Sequence, residues 1–162
     1  MPYVLKTPGQ GALRKGRRSL PGQAYFLTFT THRRMPLFTC WAAAAAMSRL
    51  LSNPAHWPNS SLMAWVLMPD HWHGLMVLNA EGDLARSTGA AKAMTALKFN
   101  RAAGRSGPLW ARGFHDRAVR RDQDLRLAAR YLVANPLRAG LVDRVGDYPF
   151  WDAVWLNNDE VL

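Results

Sequence analysis

Two histidines and a tyrosine–asparagine pair are the residues of this 162-residue chain whose types and spacing could do chemistry. His71 and His73 lie in the stretch Trp65–Leu78, Trp-Val-Leu-Met-Pro-Asp-His-Trp-His-Gly-Leu-Met-Val-Leu, where two apolar runs flank a Met-Pro-Asp break. That pattern predicts two buried strands joined by a tight turn, with Pro69 setting φ at the corner. Side chains alternate faces along a strand, so the two imidazoles project side by side and Trp72 points away. Adjacent imidazoles are half of a metal site. A strand histidine also serves as a hydrogen-bonded structural residue, and on pattern alone both readings stand.

Tyr131 and Asn135 fall in a predicted helix, and residues four apart share a helix side. An amide oxygen and a phenol can then face the imidazoles together. Asn135 would be a third ligand to a divalent ion and Tyr131 a nucleophile beside it. A phenol titrates near 10 and is a poor nucleophile at neutral pH. A neighbouring cation favours phenolate and polarises an attacked phosphate. Singly, the two residues read as ordinary packing and a helix stop.

The elements that must position these groups follow the chain. Ala24–Thr31 is a strand by its aromatic and β-branched content, with Tyr25, Leu27 and Phe29 on one face and Phe26 and Thr28 on the other. Trp41–Leu51, with five consecutive alanines, is a helix stopped by Ser52-Asn53-Pro54. Leu62–Met68 and His71–Leu78 are the next strands. Glu81–Ala103 is a second helix, with Lys92, Lys98, Arg101 and Arg105 as a basic side. A fourth strand centres on Phe114–Val119 within Leu109–Arg120. Asp122 caps a third helix, Gln123–Ala134, and Asn135-Pro136 limits it. The remainder, Leu137–Leu162, is a short helix and tail. The order β-α-β-β-α-β-α begins as a split βαβ: an α+β, ferredoxin-like antiparallel sheet with helices on one face, plus a C-terminal helix carrying Tyr131. Residues 1–22 read as a flexible basic arm and 23–162 as one domain.

Composition narrows the partners. Apolar residues make up 49% of the chain, too many for disorder. No apolar run reaches membrane-spanning length, and the basic start lacks a signal-peptide core. Cys40 stands alone, which rules out an internal disulfide and points to an intracellular, cytoplasmic compartment with a buried or half-buried thiol. The formal net charge is +10. Residues 1–69 carry eight Lys or Arg and no acid, and residues 86–138 carry twelve basic against three acidic side chains. That distribution fits a phosphate-backbone binder. His32, His56 and His115 read as structural or DNA-contacting.

Taken together, Met-Pro-Asp-His71-Trp72-His73 and Tyr131-Leu-Val-Ala-Asn135-Pro-Leu-Arg-Ala-Gly-Leu-Val142 resemble the REP-associated tyrosine transposases of the single-tyrosine HUH group. The resemblance extends through Tyr25–Phe38 and Leu109–Arg120. It implies a ferredoxin-like nuclease that cuts and rejoins single-stranded or hairpin DNA as a monomer. His71, His73 and Asn135 would hold Mg²⁺ or Mn²⁺, and Tyr131 would form a 5′-phosphotyrosine link. The resemblance also implies DNA contacts from Arg14, Arg17, Arg18, Arg33 and Arg34 at the hairpin foot, and from Arg112, Arg117, Arg120 and Arg121 along phosphates. Asp70 departs from the family's usual asparagine. A carboxylate there could steer His71 or repel a DNA phosphate. The competing functions are a non-cleaving hairpin binder and a metal-dependent phosphodiesterase that uses water.

Overall fold

A computed structural model describes residues 19–120 and 124–157. Five strands, β1 (Ala24–Thr30), β2 (Ser60–Met68), β3 (His71–Leu78), β4 (His115–Ala118) and β5 (Trp151–Ala153), form one sheet in the order β4-β1-β3-β2-β5. All four pairings are antiparallel. The first four strands keep the ferredoxin-like order expected from the sequence. The fifth was not foreseen. It extends the edge beyond β2, within the segment read as helix and tail.

The helices are α1 (Trp41–Leu51), α2 (Leu84–Ala103), α3 (Leu125–Val133) and the one-turn α4 (Asn135–Arg138). Strand alternation makes two cores. On one face Tyr25, Leu27, Phe29, Trp65, Leu67, Trp72 and Met76 pack against Met47 and Leu51 of α1 and Ala91 and Phe99 of α2. On the other, Val66, Met68 and Leu75 pack against Ala128, Ala129, Leu132 and Val133 of α3. The first two helices thus share one face, as expected, and the C-terminal helix covers the opposite one. At roughly 1.5–3 kcal/mol per fully buried large apolar side chain, both layers contribute heavily to holding the helices on the sheet.

Several local expectations shift. The cap of α2 is Asp83, whose carboxylate accepts from the Arg86 N–H, so that helix starts three residues later than Glu81. Asp124 accepts from the Arg126 N–H and opens α3 at Leu125; the expected cap Asp122 lies outside the described residues. Cys40 is exposed rather than buried, because it occupies the N-cap of α1 at the surface. Of the basic side read onto α2, Lys92 is turned partly inward, while Lys98 stays exposed with its ammonium beside His56. The Lys92 ammonium donates to the Ala111 carbonyl at 2.7 Å and to that of Gly113, and Lys98 donates to His56 Nε2 at 3.0 Å. Burial lowers the Lys92 pKa to about 8. His56 is structural, as read: it is buried, and its Nδ1–H donates to the Leu50 carbonyl at 2.7 Å.

Candidate active site

Trp72 anchors the histidine strand. It is fully buried, stacked at 4.8 Å on Phe29 and 5.2 Å on Trp57. Alternation then turns His71 and His73 to the face shared with Leu75 and α3. Their ring centroids lie 4.7 Å apart with the planes nearly perpendicular. Register places His73 between Thr28 of β1 and Val66 of β2, and His71 between Thr30 and Met68.

Each imidazole is oriented by a partner on its Nδ1. The Thr28 hydroxyl lies 2.7 Å from His73 Nδ1, and Asp70 Oδ1 lies 2.5 Å from His71 Nδ1. Nδ1 is thereby occupied on both rings, which leaves Nε2 as the nitrogen on each that could hold a metal. A carboxylate behind a ligating histidine is the usual means of fixing its tautomer. Asp70 therefore steers His71. Its second oxygen meets Arg34 Nη1 at 3.3 Å, which compensates the charge that could repel a phosphate. Burial raises the Asp70 pKa, but the hydrogen bond and charge of His71, with Arg34, outweigh it and hold the carboxyl below its ordinary value. Burial, then the charges of His71, Arg138 and Arg34, pushes His73 down to about 3. His73 is therefore neutral at physiological pH, the form that binds a metal.

The turn that carries Arg33 and Arg34 is strained. Both residues have left-handed φ, 54° and 56°, which a non-glycine residue adopts at a cost of about 1–2 kcal/mol. Buried Thr31 over-determines that turn. Its N–H donates to the Asp70 carbonyl at 2.8 Å, and its hydroxyl is shared between the carbonyls of Met35 at 2.7 Å and Asp70 at 3.0 Å. The arginine corner and the turn before His71 are thus one hydrogen-bonded unit.

The second half of the site differs from the expectation of one continuous helix. Tyr131 is on α3, but that helix ends at Val133, and Asn135 opens α4. Pro136 follows at the first turn, where its missing N–H is tolerated. Tyr131 is 63% exposed, on the outer side of α3 from Ala128 and Leu132. The Asn135 amide N–H donates to the Leu132 carbonyl at 2.7 Å, and its Oδ1 accepts from Arg138 Nη2 at 2.9 Å. The Arg138 guanidinium also lies 4.0 Å from the centre of the Tyr131 ring. Arg138 therefore links the two residues that were expected to face the imidazoles together. Sequence reasoning passed over it, although its spacing of three from Asn135 on a one-turn helix is a usable signal.

Of the expected DNA contacts, Arg33, Arg34, Arg112, Arg117 and Arg120 are exposed. Arg117 lies 4.8 Å from the centre of the Phe26 ring, on the α3 side of the sheet. Arg112 sits between the two carbonyls held by Lys92. Exposed His115 faces Thr28 in the β1–β4 register, two strands from His73. Arg14, Arg17, Arg18 and Arg121 lie outside the described residues. Among the described residues no three His, Cys, Asp or Glu side chains cluster to hold a metal. The donor set fits a divalent ion in part: two oriented imidazole nitrogens are ready, and the amide oxygen is engaged by Arg138. No helix among the described residues is long and apolar enough to cross a membrane.

A ferredoxin-like sheet with paired histidines on one strand and a tyrosine helix across the same face defines a family. The chain belongs to the IS200-like transposases, whose family model matches residues 20–135 and so takes in His71, His73, Tyr131 and Asn135. It is 33% identical over 87 residues to the REP-associated tyrosine transposase of Escherichia coli K12, and the match spans 54% of this chain and 50% of that one. A solved REP-associated tyrosine transposase bound to a REP hairpin superposes with a TM-score of 0.64 at 27% identity, over 83% of this chain and 79% of the other. A protein of Deinococcus radiodurans R1 described as a candidate transposase shares the fold, with a TM-score of 0.54 at 21% identity over 75% and 96% of the two chains.

Proposed function

We propose that the protein cuts and rejoins single-stranded DNA at REP-type hairpins, with Tyr131 as nucleophile and Mg²⁺ or Mn²⁺ held by His71, His73 and Asn135. The observation that carries this reading is the histidine pair: two imidazoles 4.7 Å apart, each tied through Nδ1, on the sheet face that α3 covers. The relative solved with a REP hairpin supports the substrate class.

In this reaction the Tyr131 hydroxyl attacks a backbone phosphorus. The Oη–P bond forms, the P–O3′ bond breaks, the phenol gives up its proton and the departing 3′ oxygen takes one up. The DNA 5′ end stays on the protein and a 3′-OH is freed. A 3′-OH attacking in return restores the backbone and the phenol, so neither ATP nor water is consumed. The bound divalent ion would polarise the phosphate and favour phenolate. His73, kept neutral by burial, offers its nitrogen throughout the physiological range, and Asp70 holds His71 in the matching tautomer. The exposed arginines at 33, 34, 112, 117 and 120, with those of the basic arm at 14, 17 and 18 and Arg121, would track phosphates. We expect it to act as a monomer in the bacterial cytoplasm, as the resemblance to the REP-associated transposases implies.

The test is a denaturing gel of protein incubated with Mn²⁺ and a labelled single-stranded oligonucleotide bearing an imperfect palindrome. Wild type should carry covalent DNA, and Tyr131→Phe and His73→Ala should not. Cleavage that survives Tyr131→Phe would instead favour water as nucleophile, and binding without any cleavage would favour a recognition protein.

A further inference from the structure

Arg138 makes two contacts that compete with the chemistry assigned to its neighbours. Its Nη2 occupies Asn135 Oδ1 at 2.9 Å, the atom a metal would need. Its guanidinium lies over the Tyr131 ring at 4.0 Å, a cation–π contact. A planar cation between a nucleophile and a ligand set is well placed for a phosphate oxygen, which a guanidinium binds in a bidentate fork. Arg138 itself is exposed, so DNA can reach it.

Building on the reading of this site as a DNA-cleaving centre, we propose that Arg138 is its scissile-phosphate residue, parked on Asn135 and Tyr131 until DNA arrives. When the guanidinium moves to the phosphate, Asn135 Oδ1 is released to the metal and the phenol face is uncovered. Substrate binding and completion of the ligand set are thereby coupled through one side chain. A guanidinium exchanges an amide oxygen for a charged phosphate oxygen, and charge-assisted hydrogen bonds are the stronger kind.

Three readouts on Arg138→Ala and Arg138→Lys separate this from a merely structural role. In DNA-free protein, Mn²⁺ titrated by calorimetry should bind about tenfold more tightly to Arg138→Ala, because Asn135 is no longer withheld. In EDTA, binding of the palindromic oligonucleotide should lose about one phosphate contact, a salt slope shallower by roughly 0.7. At saturating Mn²⁺, adduct formation should fall about a hundredfold, the usual loss when one donor to a developing charge is removed. Arg138→Lys should keep the salt slope and recover part of the rate. Unchanged or weaker Mn²⁺ affinity in Arg138→Ala, or a wild-type cleavage rate, overturns the proposal. If wild type forms adduct while Arg138→Ala matches it on all three readouts, this proposal fails alone. If wild type forms no adduct, the reading of the site fails with it.

Discussion

Gly74→Ala is the substitution whose effect can be worked most directly from the geometry. Gly74 follows the His-Trp-His run and lies under the Trp72 ring, its same-face neighbour two residues back. A Cβ built at position 74 would sit 2.0 Å from Trp72 Cη2, 2.6 Å from Cζ2 and 2.7 Å from Cζ3. Carbon atoms rest at about 3.5–4.0 Å, so the indole would have to retreat by roughly 1.5 Å. It has nowhere to go, with Phe29 at 4.8 Å and Trp57 at 5.2 Å and no exposed surface. Overpacking of a filled core ordinarily costs about 1–3 kcal/mol. Because both flanking rings block relief, we expect the upper end, about 3 kcal/mol, or a fall of about 6–12 °C in midpoint for a chain of this size. Thermal unfolding followed by circular dichroism gives the number. Trp72→Phe removes the offending atoms, so Gly74→Ala in that background should cost below about 1 kcal/mol. An effect under about 0.5 kcal/mol in wild type, or one equal in both backgrounds, would refute the reasoning.

Stability of the metal-free protein should depend on pH through His73. Its folded pKa is about 3 against 6.5 in the unfolded chain, so the contribution is full above pH 6.5 and drains as pH falls towards 3. The slope approaches one proton, about 1.4 kcal/mol per pH unit, and His73→Gln should flatten it in urea titrations with chelator between pH 6.5 and 4.5. If the exposed arginines at 33, 34, 112, 117 and 120 all meet phosphates, hairpin affinity should fall with salt at a log–log slope of about −3.5 or steeper; a flat response contradicts the electrostatic footprint. Tyr148→Phe removes a 2.6 Å hydrogen bond from the phenol to the Leu67 carbonyl and should lower stability by about 1 kcal/mol in the same urea assay.

The histidine face was legible because strand alternation is a local rule: once His71–Leu78 is a strand, the imidazoles share a side whatever packs on them. The order of the first four strands followed from the β-α-β-β-α-β succession of elements, which is that of a split βαβ, and Trp72 turned inward as read. What escaped depends on distant partners. Lys92 and Lys98 looked like a basic surface, and only the folded chain reveals carbonyls at 111 and 113 and the His56 ring within their reach. Three-residue β5 has too little pattern to be read, since its strand character comes from pairing with Ala64–Val66. Arg138 was not legible because it sits on a one-turn helix too short for a periodicity, and its contacts with Tyr131 and Asn135 exist only in the folded chain.

The central claim concerns one bond, between the Tyr131 oxygen and phosphorus. Protein incubated with Mn²⁺ and the palindromic oligonucleotide can be trimmed with nuclease, digested with protease and mapped by mass spectrometry. The account predicts a nucleotide phosphate on the peptide that holds Tyr131, with the released DNA fragment ending in a free 3′-OH. DNA attached at any other residue, or cleaved fragments with no protein attached, would contradict it.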